Sequence, residues 1–536
     1  MMAAGPGGGA RELRAALPAV AAALPAFLPA QRWFGGKEHA VDRVEIRDTA
    51  SIPDHPRTLL AVVTVHAVGR AAETYFLPLG LGAAAHADTP GAVIARHGDL
   101  VVRDAIADPD TCRALLRGML EGQTLPTAHG GRFVFQPAAR LSGSAGVSPP
   151  TPDLETIEVR HAGVEQSNSS IVFGSAFILK ALRRLAPGVN PEIEIPRFLG
   201  QYTTFDRVPA LLGWAEYVAP DGASAPVGVL QRFVPNQGDG WSYVLQQASA
   251  VGHQKSGARR HESDTTRLVR DMADLGRTLG GLHLALASRS DQSDFAPEPI
   301  DAAYVAAWQQ RTRASLDEIV ARLRRGLQDG PADTGWSAQD RAYGTSVLAG
   351  ATQLGAAIDG FGVLARGSLV KTRHHGDFHL GQTLVAADGW IVIDFEGEPL
   401  RSLEERRAKQ TPLRDVAGVL RSLDYALATA VRQIPTSPPR SHGRERRLGG
   451  EGAPPTDLTA LFAACRESLL AAYVATVRRS GVTLIPASPE QLSQALLALE
   501  VEKALYELTY ELGNRPDWVS IPLSALARYA QSRAVG

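Results

Sequence analysis

The side chains best suited to chemistry lie in one stretch, HHGDFHLGQTLVAADGWIVIDFEGEP, which begins at His374 and contains five acidic residues and three histidines. Asp377 and Gln382 stand five positions apart, and Asp394 follows twelve positions later. A loop and a short hairpin would bring these three side chains close together. They suit phosphoryl transfer, because one carboxylate can orient the attacking hydroxyl while the other carboxylate and the amide oxygen hold Mg²⁺ against phosphate oxygens.

The order of these residues is typical of a kinase catalytic loop. Protein kinases use His-x-Asp-x-x-x-x-Asn, then a short hairpin, then Asp-Phe-Gly. Here Gln382 stands where asparagine is usual. We predict that Asp377 is the catalytic base, that Asp394 is the principal Mg²⁺ ligand and that Gln382 supplies an amide oxygen. Glu396 is predicted to join the metal shell directly or through water.

The histidines leave other interpretations open. His379 falls where many kinases place a lysine, so it would either contact phosphate or substrate, or brace the loop. The cluster HHGDFH could also belong to a metallohydrolase, although such sites usually need further ligands elsewhere in the chain. His161 and His283 are isolated in the sequence and are better interpreted as structural.

The elements that must position these residues follow from hydrophobic periodicity and turn signals. TLVA and WIVIDF are two apolar strands joined across Ala387-Asp388-Gly389, and Asp-Gly between such runs is a strong hairpin signal. Residues 237–536 are otherwise mostly helical, with a Pro/Gly/Arg-rich loop or insertion at residues 435–455. Residues 1–100 predict a small mixed unit, and residues 101–236 a strand-rich unit containing a linker at residues 142–152.

A lysine upstream completes the kinase-type arrangement. Lysine occurs only six times in the chain, and Lys180 follows an apolar run in AFILKALRRL. We predict that Lys180 lies on a strand and contacts the ATP phosphates that are not transferred. Its ion-pair partner should come from the next helix, with Glu194 as first choice and Glu192 as second.

The nucleotide contacts are less sharply marked, because the sequence lacks Gly-x-Gly-x-x-Gly before the lysine strand. EQSNSSIVFG precedes that strand instead, and its turn residues are predicted to surround phosphate groups with N–H and hydroxyl groups. The break before the helical half is predicted to contact adenine. These cofactor-binding candidates are Ser167, Asn168, Ser169, Ser170, Gln231, Phe233 and Val234.

Composition limits the possible partners. The chain of 536 residues has 55 basic and 56 acidic side chains, so a basic surface for nucleic acid is not indicated. Its two cysteines, Cys112 and Cys465, argue against a disulfide framework and fit a reducing cytoplasm. We expect no run to be long enough to cross a membrane. Prolines interrupt the one apolar stretch that imitates a signal peptide, so an N-terminal helix packed on the body is expected there instead.

Over nearly its whole length the sequence resembles the maltokinases, which phosphorylate maltose with ATP. The matching segments, in chain order, are LPAFLPAQRWFGGK, EQSNSSIVFG, FILKALRRLAPGVNPEIEIPRFL, LQRFVPNQGDGW, HHGDFHLGQTL, IVIDFEGEP, TPLRDVAGVLRSLDYA and YELTYELGNRPDWVSIPL. Glutamine at position 382 is similar to that family's own pattern. The resemblance therefore implies an active enzyme rather than a degenerate one.

The resemblance implies an α+β, bilobal protein-kinase-like fold with an N-terminal cap domain, a strand-rich N-lobe and a mainly helical C-lobe. It implies that ATP and Mg²⁺ act on the anomeric hydroxyl of maltose. The product, maltose 1-phosphate, would feed α-glucan and glycogen synthesis. We expect a monomer or weak homodimer that binds neither nucleic acid nor membrane.

The sugar site must combine aromatic faces with polar groups in a cleft. Lys503, Tyr506, Glu507 and Tyr510 recur at helical spacing, and Arg515 follows them. We predict that these residues and His379 contact the sugar. Ordinary packing and solvated charge explain the same pattern about equally well.

Two other functions fit the catalytic residues. One is a kinase of the same fold that acts on an aminoglycoside or choline, whose positive charge would favour an acidic cleft. The other is a pseudokinase that serves as a binding module, but the intact Lys180, Asp377 and Asp394 argue against it.

Replacing the predicted base tests the catalytic assignment. Asp377→Ala should fold normally yet lose phosphotransfer by about two orders of magnitude, because a positioned proton acceptor is removed. Circular dichroism would check folding, and ADP release would report turnover. Near-normal turnover in the folded variant would refute the role of Asp377.

Overall fold

A computed structural model of the chain describes residues 8–37, 39–83, 93–138, 153–162, 168–252, 262–328, 335–398, 401–433 and 456–531. The chain divides into two compact units. Unit 1 comprises Met1–Tyr202 and Pro209–Pro235, and unit 2 comprises Thr203–Val208 and Asn236–Gly536. The predicted linker at residues 142–152 and the predicted insertion at residues 435–455 lie outside the described residues.

The first sheet of unit 1 is antiparallel, and one of its faces packs on helix α1 (Gly8–Phe27). Its strands have the order β1-β2-β3-β5-β4, and the short strand β11 (Arg184–Leu185) pairs with β3. The sheet extends past residue 100, where the first predicted boundary falls. The strand bounds are β1 Val41–Ile52, β2 His55–Ala67, β3 Glu73–Ala83, β4 Val93–His97 and β5 Leu100–Asp104.

Helix α1 buries one stripe of side chains against that sheet. Leu13, Val20 and Leu24 are fully buried, and their spacing places them on one helical face. Pro18 and Pro25 lie inside the helix and do not end it. Pro18 lies on the exposed face, where water can satisfy the carbonyl that loses its hydrogen-bond donor.

The second sheet of unit 1 is also antiparallel and has the order β6-β7-β12-β13-β10-β9-β8. Helices α2 (Pro109–Glu121) and α3 (Pro191–Tyr202) pack beside it. The lysine strand β10 therefore lies between β13 and β9. The strand bounds are β6 Thr124–Pro126, β7 Arg132–Pro137, β8 Val159–His161, β9 Asn168–Phe173, β10 Phe177–Leu182, β12 Leu211–Val218 and β13 Ser224–Arg232.

A shared hydrophobic core and a buried carboxylate join the two sheets of unit 1. Leu60 and Phe76 from the first sheet belong to one cluster with Phe133 from the second. Asp48 on β1 is 1% exposed and accepts hydrogen bonds from the Thr127 hydroxyl at 2.6 Å and the Tyr217 hydroxyl at 3.0 Å. These bonds compensate for the burial of its charge.

Unit 2 is mainly helical, and serine caps mark several helix starts. Ser337 and Ser402 each form a capping box with an acidic residue three positions later. The predicted long helical segment after Ser337 is divided at Gly350, where a β-carbon would lie 2.3 Å from the Ala530 side chain. The helices are α4 Gly240–Gly252, α5 Glu262–Leu286, α6 Ala302–Gln328, α7 Ala338–Ala349, α8 Ala351–Asp359, α9 Leu403–Arg407, α10 Leu413–Gln433, α11 Thr456–Val477, α12 Pro489–Asn514 and α13 Ser520–Gln531.

The predicted acidic hairpin is present in unit 2. Strand β16 (Thr383–Ala386) pairs antiparallel with β17 (Gly389–Val392), and the turn lies at Ala387 and Asp388. Gly389 has a φ of 124°, which a glycine adopts without steric cost. A second short pair is formed by β14 (Glu298–Pro299) and β15 (Val370–Lys371).

Glycines allow two helices of unit 2 to approach the predicted catalytic loop closely. A β-carbon on Gly418 of α10 would lie 2.5 Å from the Phe378 carbonyl oxygen. A β-carbon on Gly240 of α4 would lie 2.3 Å from the Thr383 hydroxyl oxygen. Since neither position has room for a larger residue, the two helices pack directly against the loop and the hairpin.

Among the residues that the structure describes, two helices are long and apolar enough to cross a membrane by length and composition, and the bent pair Ala338–Ala349 and Ala351–Ala365 would add a third if it formed one span. The two are Gly9–Ala30 and Leu458–Val477. The expectation that no run is long enough is therefore wrong by that measure. Each helix buries one face within its own unit, as Leu469 and Tyr473 show for α11.

Candidate active site

The predicted catalytic loop, residues 373–382, is anchored by one buried carboxylate. Asp415 lies in the first turn of α10 and is 2% exposed. Its Oδ2 accepts a hydrogen bond from the His375 backbone N–H at 2.7 Å, and its Oδ1 accepts one from the Gly376 N–H at 3.0 Å. Because these amides immediately precede Asp377, Asp415 fixes the backbone that presents the predicted base.

A buried histidine completes the surroundings of Asp415. The Nε2 atom of His283 lies 3.0 Å from Asp415 Oδ2, and its Nδ1 atom lies 3.0 Å from the Tyr473 hydroxyl. Burial opposes ionisation of Asp415, but its histidine neighbours lower the pKa of Asp415 below its usual value. His283 therefore braces the site rather than binding metal, as the sequence suggested.

His375 connects the loop to the end of the hairpin. Its Nε2–H donates to the Ile393 carbonyl at 2.9 Å, and its Nδ1 accepts from the Asp377 backbone N–H at 3.4 Å. The ring packs against Phe378 and Phe395. These contacts hold the segment carrying Asp377 beside the segment carrying Asp394.

His374 and His379 also belong to the predicted catalytic loop. Burial lowers the pKa of His374 to about 4, so this side chain is neutral near pH 7. The Nδ1 atom of His379 accepts from the Gly381 N–H at 3.1 Å and caps the turn Leu380–Gln382. The structure thus gives His379 a bracing contact, and its contact with substrate stays a prediction.

Gln382 and Asp394 meet as their spacing predicted. The Gln382 amide nitrogen donates to Asp394 Oδ2 at 2.8 Å. Among the described residues, Asp394 is the one non-glycine residue with positive φ, at 65°. This strained conformation costs free energy that the surrounding contacts must offset, and such residues cluster at functional sites.

Lys503 on α12 reaches the predicted base. Its Nζ lies 3.3 Å from Asp377 Oδ1 and 2.8 Å from Glu398 Oε1. Burial disfavours the ammonium, but Glu398 and Asp377 raise the pKa of Lys503 above its usual value. Lys503 is therefore charged, and in this arrangement it holds the carboxylate of Asp377, the predicted base, in place.

Glu398 is the counter-charge on which Lys503 depends. It is 3% exposed and also pairs with Arg401, and Arg414 lies 4.0 Å away. Burial would raise its pKa, yet Lys503, Arg414 and Arg401 lower the pKa of Glu398 to about 2. This buried carboxylate is ionised over the whole physiological range.

A cleft in unit 2 opens beside these charges, with an empty volume of about 300 Å³. Carboxylates dominate its polar lining, because Asp377, Glu398 and Glu502 face it together with Lys503 and Arg414. Its wall is formed by the catalytic loop, the start of α10 and the middle of α12. The cleft therefore offers a polar pocket directly against the predicted base.

The other predicted sugar residues on α12 have partners of their own. Tyr506 lies under the Lys503 ammonium, 5.0 Å from ring centroid to Nζ. Glu507 accepts a hydrogen bond from Arg421 at 2.6 Å, and burial raises the pKa of Glu507. Arg515 pairs with Glu511 at 2.7 Å and lies over the Tyr510 ring. Lys503 lines the cleft, and sugar contacts by Tyr506, Glu507, Tyr510 and Arg515 stay predictions.

In unit 1, Lys180 forms its ion pair with Glu192 rather than with Glu194, the predicted partner. Lys180 Nζ lies 3.4 Å from Glu192 Oε1, and Glu192 is 2% exposed. The Asn190 side chain accepts from the Glu192 backbone N–H at 2.9 Å, which fixes the helix start. Glu194 lies two positions farther along α3, so its side chain points to a different side of the helix.

Strand pairing separates the predicted phosphate contacts into two faces. Ser170 pairs with Lys180 and Asn168 with Leu182, so Asn168 and Ser170 share the face of the lysine. Ser169 pairs with Ala181 and therefore lies on the opposite face. Its predicted phosphate contact is wrong for the side chain, whose hydroxyl instead accepts from Arg183 at 2.9 Å.

The predicted adenine contacts lie at the end of β13. Gln231 pairs with Ile178 across the sheet, and the Phe233 N–H donates to the Ala176 carbonyl at 2.9 Å. That bond occupies the Phe233 N–H. The adenine contacts of Gln231, Phe233 and Val234 stay predictions, and Ser167 lies outside the described residues.

The predicted metal ligands fit Mg²⁺ by their chemistry. Asp394 and Gln382 each carry a hard oxygen donor, and Mg²⁺ commonly takes few protein ligands alongside phosphate and water. The contact between the two side chains uses the Gln382 amide nitrogen, which leaves the amide oxygen directed elsewhere. Within the ranges that the structure describes, no three His, Cys, Asp or Glu side chains are grouped to hold a metal by themselves. The role of Glu396 stays a prediction.

A family comparison identifies part of unit 1. Residues 27–108 match the maltokinase N-terminal cap domain. This segment includes the end of α1 and the five long strands of the first sheet. The chain carries a maltokinase-type cap, as the sequence resemblance implied.

Comparison with known proteins identifies the rest of the fold. A glucosamine kinase of Streptacidiphilus jiangxiensis is 27% identical over 67% of this chain and 70% of its own length. A glucosamine kinase of Mycolicibacterium smegmatis is 24% identical over 68% and 77%, respectively. A structure of glucosamine kinase in complex with glucosamine, ADP and inorganic phosphate matches 95% of this chain and 98% of its own, with a TM-score of 0.61 and 23% identity.

The chain is similar to kinase-type phosphotransferases. Its predicted kinase-like α+β fold, with an N-terminal cap, a strand-rich first half and a helical second half, is confirmed by these matches. The fold places Lys180 on a strand and Asp377 on the loop before a hairpin, as the motifs predicted.

Sequence reasoning missed charged residues that contact the site but lie far from each other along the chain. Glu398 lies within the motif DFEGEP, but its partner Lys503 is 105 positions away in sequence. Glu502 adjoins Lys503 and was not selected, although it faces the cleft. The available signal was two consecutive charged residues, Glu502 and Lys503, in an otherwise largely apolar part of helix α12.

The depressed pKa of Glu398 predicts a pH dependence of stability. A carboxyl group whose pKa is lower in the folded state stabilises the fold above its unfolded pKa, near 4.5, and loses that contribution as the pH falls toward 2. The contribution near pH 7 should be on the order of 3 kcal/mol. Urea unfolding of the wild type and Glu398→Gln from pH 7 to pH 3 would measure it.

We expect the difference in unfolding free energy between the two proteins to be constant above pH 5 and to shrink below pH 4.5. Glu404→Gln is a matched control, because Glu404 is an exposed carboxylate on the neighbouring helix α9. A difference for Glu398→Gln that stays constant down to pH 3 would contradict the assigned charge state.

Proposed function

We propose that this chain transfers the γ-phosphoryl group of ATP to a hydroxyl group of a sugar. The observation that carries the proposal is the placement of Asp377 at a polar cleft, beside the paired Gln382 and Asp394. The relationship to glucosamine kinases supports a sugar as acceptor. The ADP named in the matching glucosamine kinase structure supports an adenine nucleotide as donor.

The geometry supports a direct transfer. Asp377 orients the acceptor hydroxyl and takes its proton while that oxygen attacks the γ-phosphorus and the bond to the bridging oxygen of ADP breaks. Lys503 holds the Asp377 carboxylate from one side. Asp415 and His375 fix the backbone on the other side, so catalysis depends mainly on positioning.

The remaining roles concern the phosphates. Asp394 and Gln382, with Glu396 nearby in sequence, would hold Mg²⁺, which neutralises negative charge on the β- and γ-phosphates. Lys180, held by Glu192, would bind the phosphates that are not transferred. Asn168 and Ser170 lie on the same strand face as Lys180 and are the proposed polar contacts there.

Maltose is the acceptor that the sequence resemblance implies. The maltokinase-type cap supports it, and the product would then be maltose 1-phosphate, a donor for α-glucan and glycogen synthesis. The cap does not decide the question by itself, since the matching glucosamine kinase structure covers 95% of this chain and must share the region.

Glucosamine is a second candidate, and the cleft favours it. Carboxylates of Asp377, Glu398 and Glu502 outnumber the cations in the lining, which suits a positively charged amino sugar.

A panel of acceptors tests the proposal. Purified protein with ATP and Mg²⁺ would receive maltose, glucosamine, glucose, an aminoglycoside and choline, and ADP release and phosphorylated products would be measured. We expect one of the two named sugars to have the highest kcat/KM, with Asp377→Ala as the inactive control. Phosphorylation of only the aminoglycoside or choline would refute the proposal that maltose or glucosamine is the acceptor. Absence of any transfer would refute the proposed kinase activity.

A further inference from the structure

Arg183 is one of the largest fully buried side chains among the described residues, and it has no part in the proposed chemistry. It stands between β10, which carries Lys180, and β11, which pairs with the first sheet. Its carbonyl accepts from the Phe76 N–H at 2.7 Å. At Arg183 the chain therefore passes from the second sheet, which carries Lys180, to the first sheet.

The guanidinium group of Arg183 has partners in both sheets. Two of its nitrogens donate to the Asp104 carboxylate at 2.8 and 3.3 Å, and its plane lies 4.8 Å from the Trp33 ring centroid. The remaining nitrogen, Nε, donates to the Ser169 hydroxyl at 2.9 Å. Trp33 and Asp104 lie within the cap match at residues 27–108, whereas Ser169 lies on β9.

An arginine suits this junction better than a lysine. A buried guanidinium is tolerated only when its donors are satisfied, and its planar fork can bind a carboxylate with two bonds while Nε reaches a third partner. Its face can stack on an aromatic ring at the same time. The group therefore fixes the distance between Asp104 and Ser169 rather than merely neutralising charge.

Fixing Ser169 also fixes its neighbours. Since side chains alternate along a strand, Asn168 and Ser170 flank Ser169 and lie on the opposite face, together with Lys180. A shift of Ser169 would move both proposed phosphate contacts relative to the lysine. Because the strand is already held in place, less conformational entropy is lost when the nucleotide binds, and the affinity for nucleotide is higher.

We propose that Arg183 is a positioning residue through which the cap domain sets the affinity for the nucleotide. The inference rests on the proposed function, because it requires Asn168, Ser170 and Lys180 to contact nucleotide phosphates. It assigns the cap a role in nucleotide binding, with Asp104 and Trp33 holding Arg183 and Arg183 holding β9.

Direct binding of Mg²⁺–ADP, measured by titration calorimetry, tests the proposal without knowledge of the sugar. Arg183→Met should weaken ADP binding about tenfold, as expected for loss of a charged hydrogen bond that positions the site. Ser169→Ala should weaken it less but in the same direction. Arg183→Lys should behave like Ser169→Ala, because lysine can still pair with Asp104 but lacks the Nε donor.

Steady-state kinetics add a readout that a merely structural role would not change. We expect KM for ATP to rise in the Arg183 and Ser169 variants while KM for the sugar stays within about twofold of wild type. The double variant Arg183→Met with Ser169→Ala should bind ADP no more weakly than Arg183→Met alone, because both changes break the same link.

Asp48→Asn is the matched control. Asp48 is a buried acceptor that joins the two sheets through Thr127 and Tyr217 but contacts neither β9 nor β10. It should lower the melting temperature and leave ADP affinity unchanged. Unchanged ADP affinity in folded Ser169→Ala and Arg183→Lys would overturn the inference, whereas a wild type that binds no ADP would overturn the proposed function itself.

Discussion

The backbone of the predicted catalytic loop in unit 2 is anchored by the buried carboxylate of Asp415. Asp415 accepts hydrogen bonds from two consecutive loop amides and lies against His283. A carboxylate in the interior is stable only if its acceptors are satisfied, so the loop must adopt the one path that brings both N–H groups to it. Asp377, the next residue, is placed as a consequence. Gly418, three positions after Asp415, lets α10 approach the loop closely enough for these bonds to form.

Charge pairing in the cleft also restrains the side chain of Asp377. Lys503 would be costly to bury alone, and Glu398 and Asp377 together compensate for its charge. The predicted base is thereby fixed by its backbone through Asp415 and by its side chain through Lys503. An acceptor hydroxyl would meet a carboxylate that needs little reorganisation, which is the main source of rate enhancement in phosphoryl transfer.

Local patterns in the sequence predicted the parts of the site that lie close together along the chain. The Asp-Gly turn predicted the hairpin, and the spacing of Gln382 and Asp394 predicted their contact. The choice of Glu194 failed because two glutamates near a helix start do not reveal which one the fold buries. The phosphate contact predicted for the Ser169 side chain was wrong because Asn168–Phe173 form a strand, in which neighbouring side chains point to opposite faces. The links from Lys503 to Glu398 and from Arg183 to Asp104 span distances along the chain that no local pattern encodes.

The most direct test of this account is the turnover of Asp415→Asn at saturating ATP and sugar. The substitution keeps the size of the side chain but places amide hydrogens against loop N–H groups, so the loop should lose its path while α10 persists. We predict a fall in kcat of about 100-fold with KM values changed little, in a protein whose circular dichroism matches the wild type. A folded Asp415→Asn variant with near wild-type kcat would contradict the central role of this carboxylate.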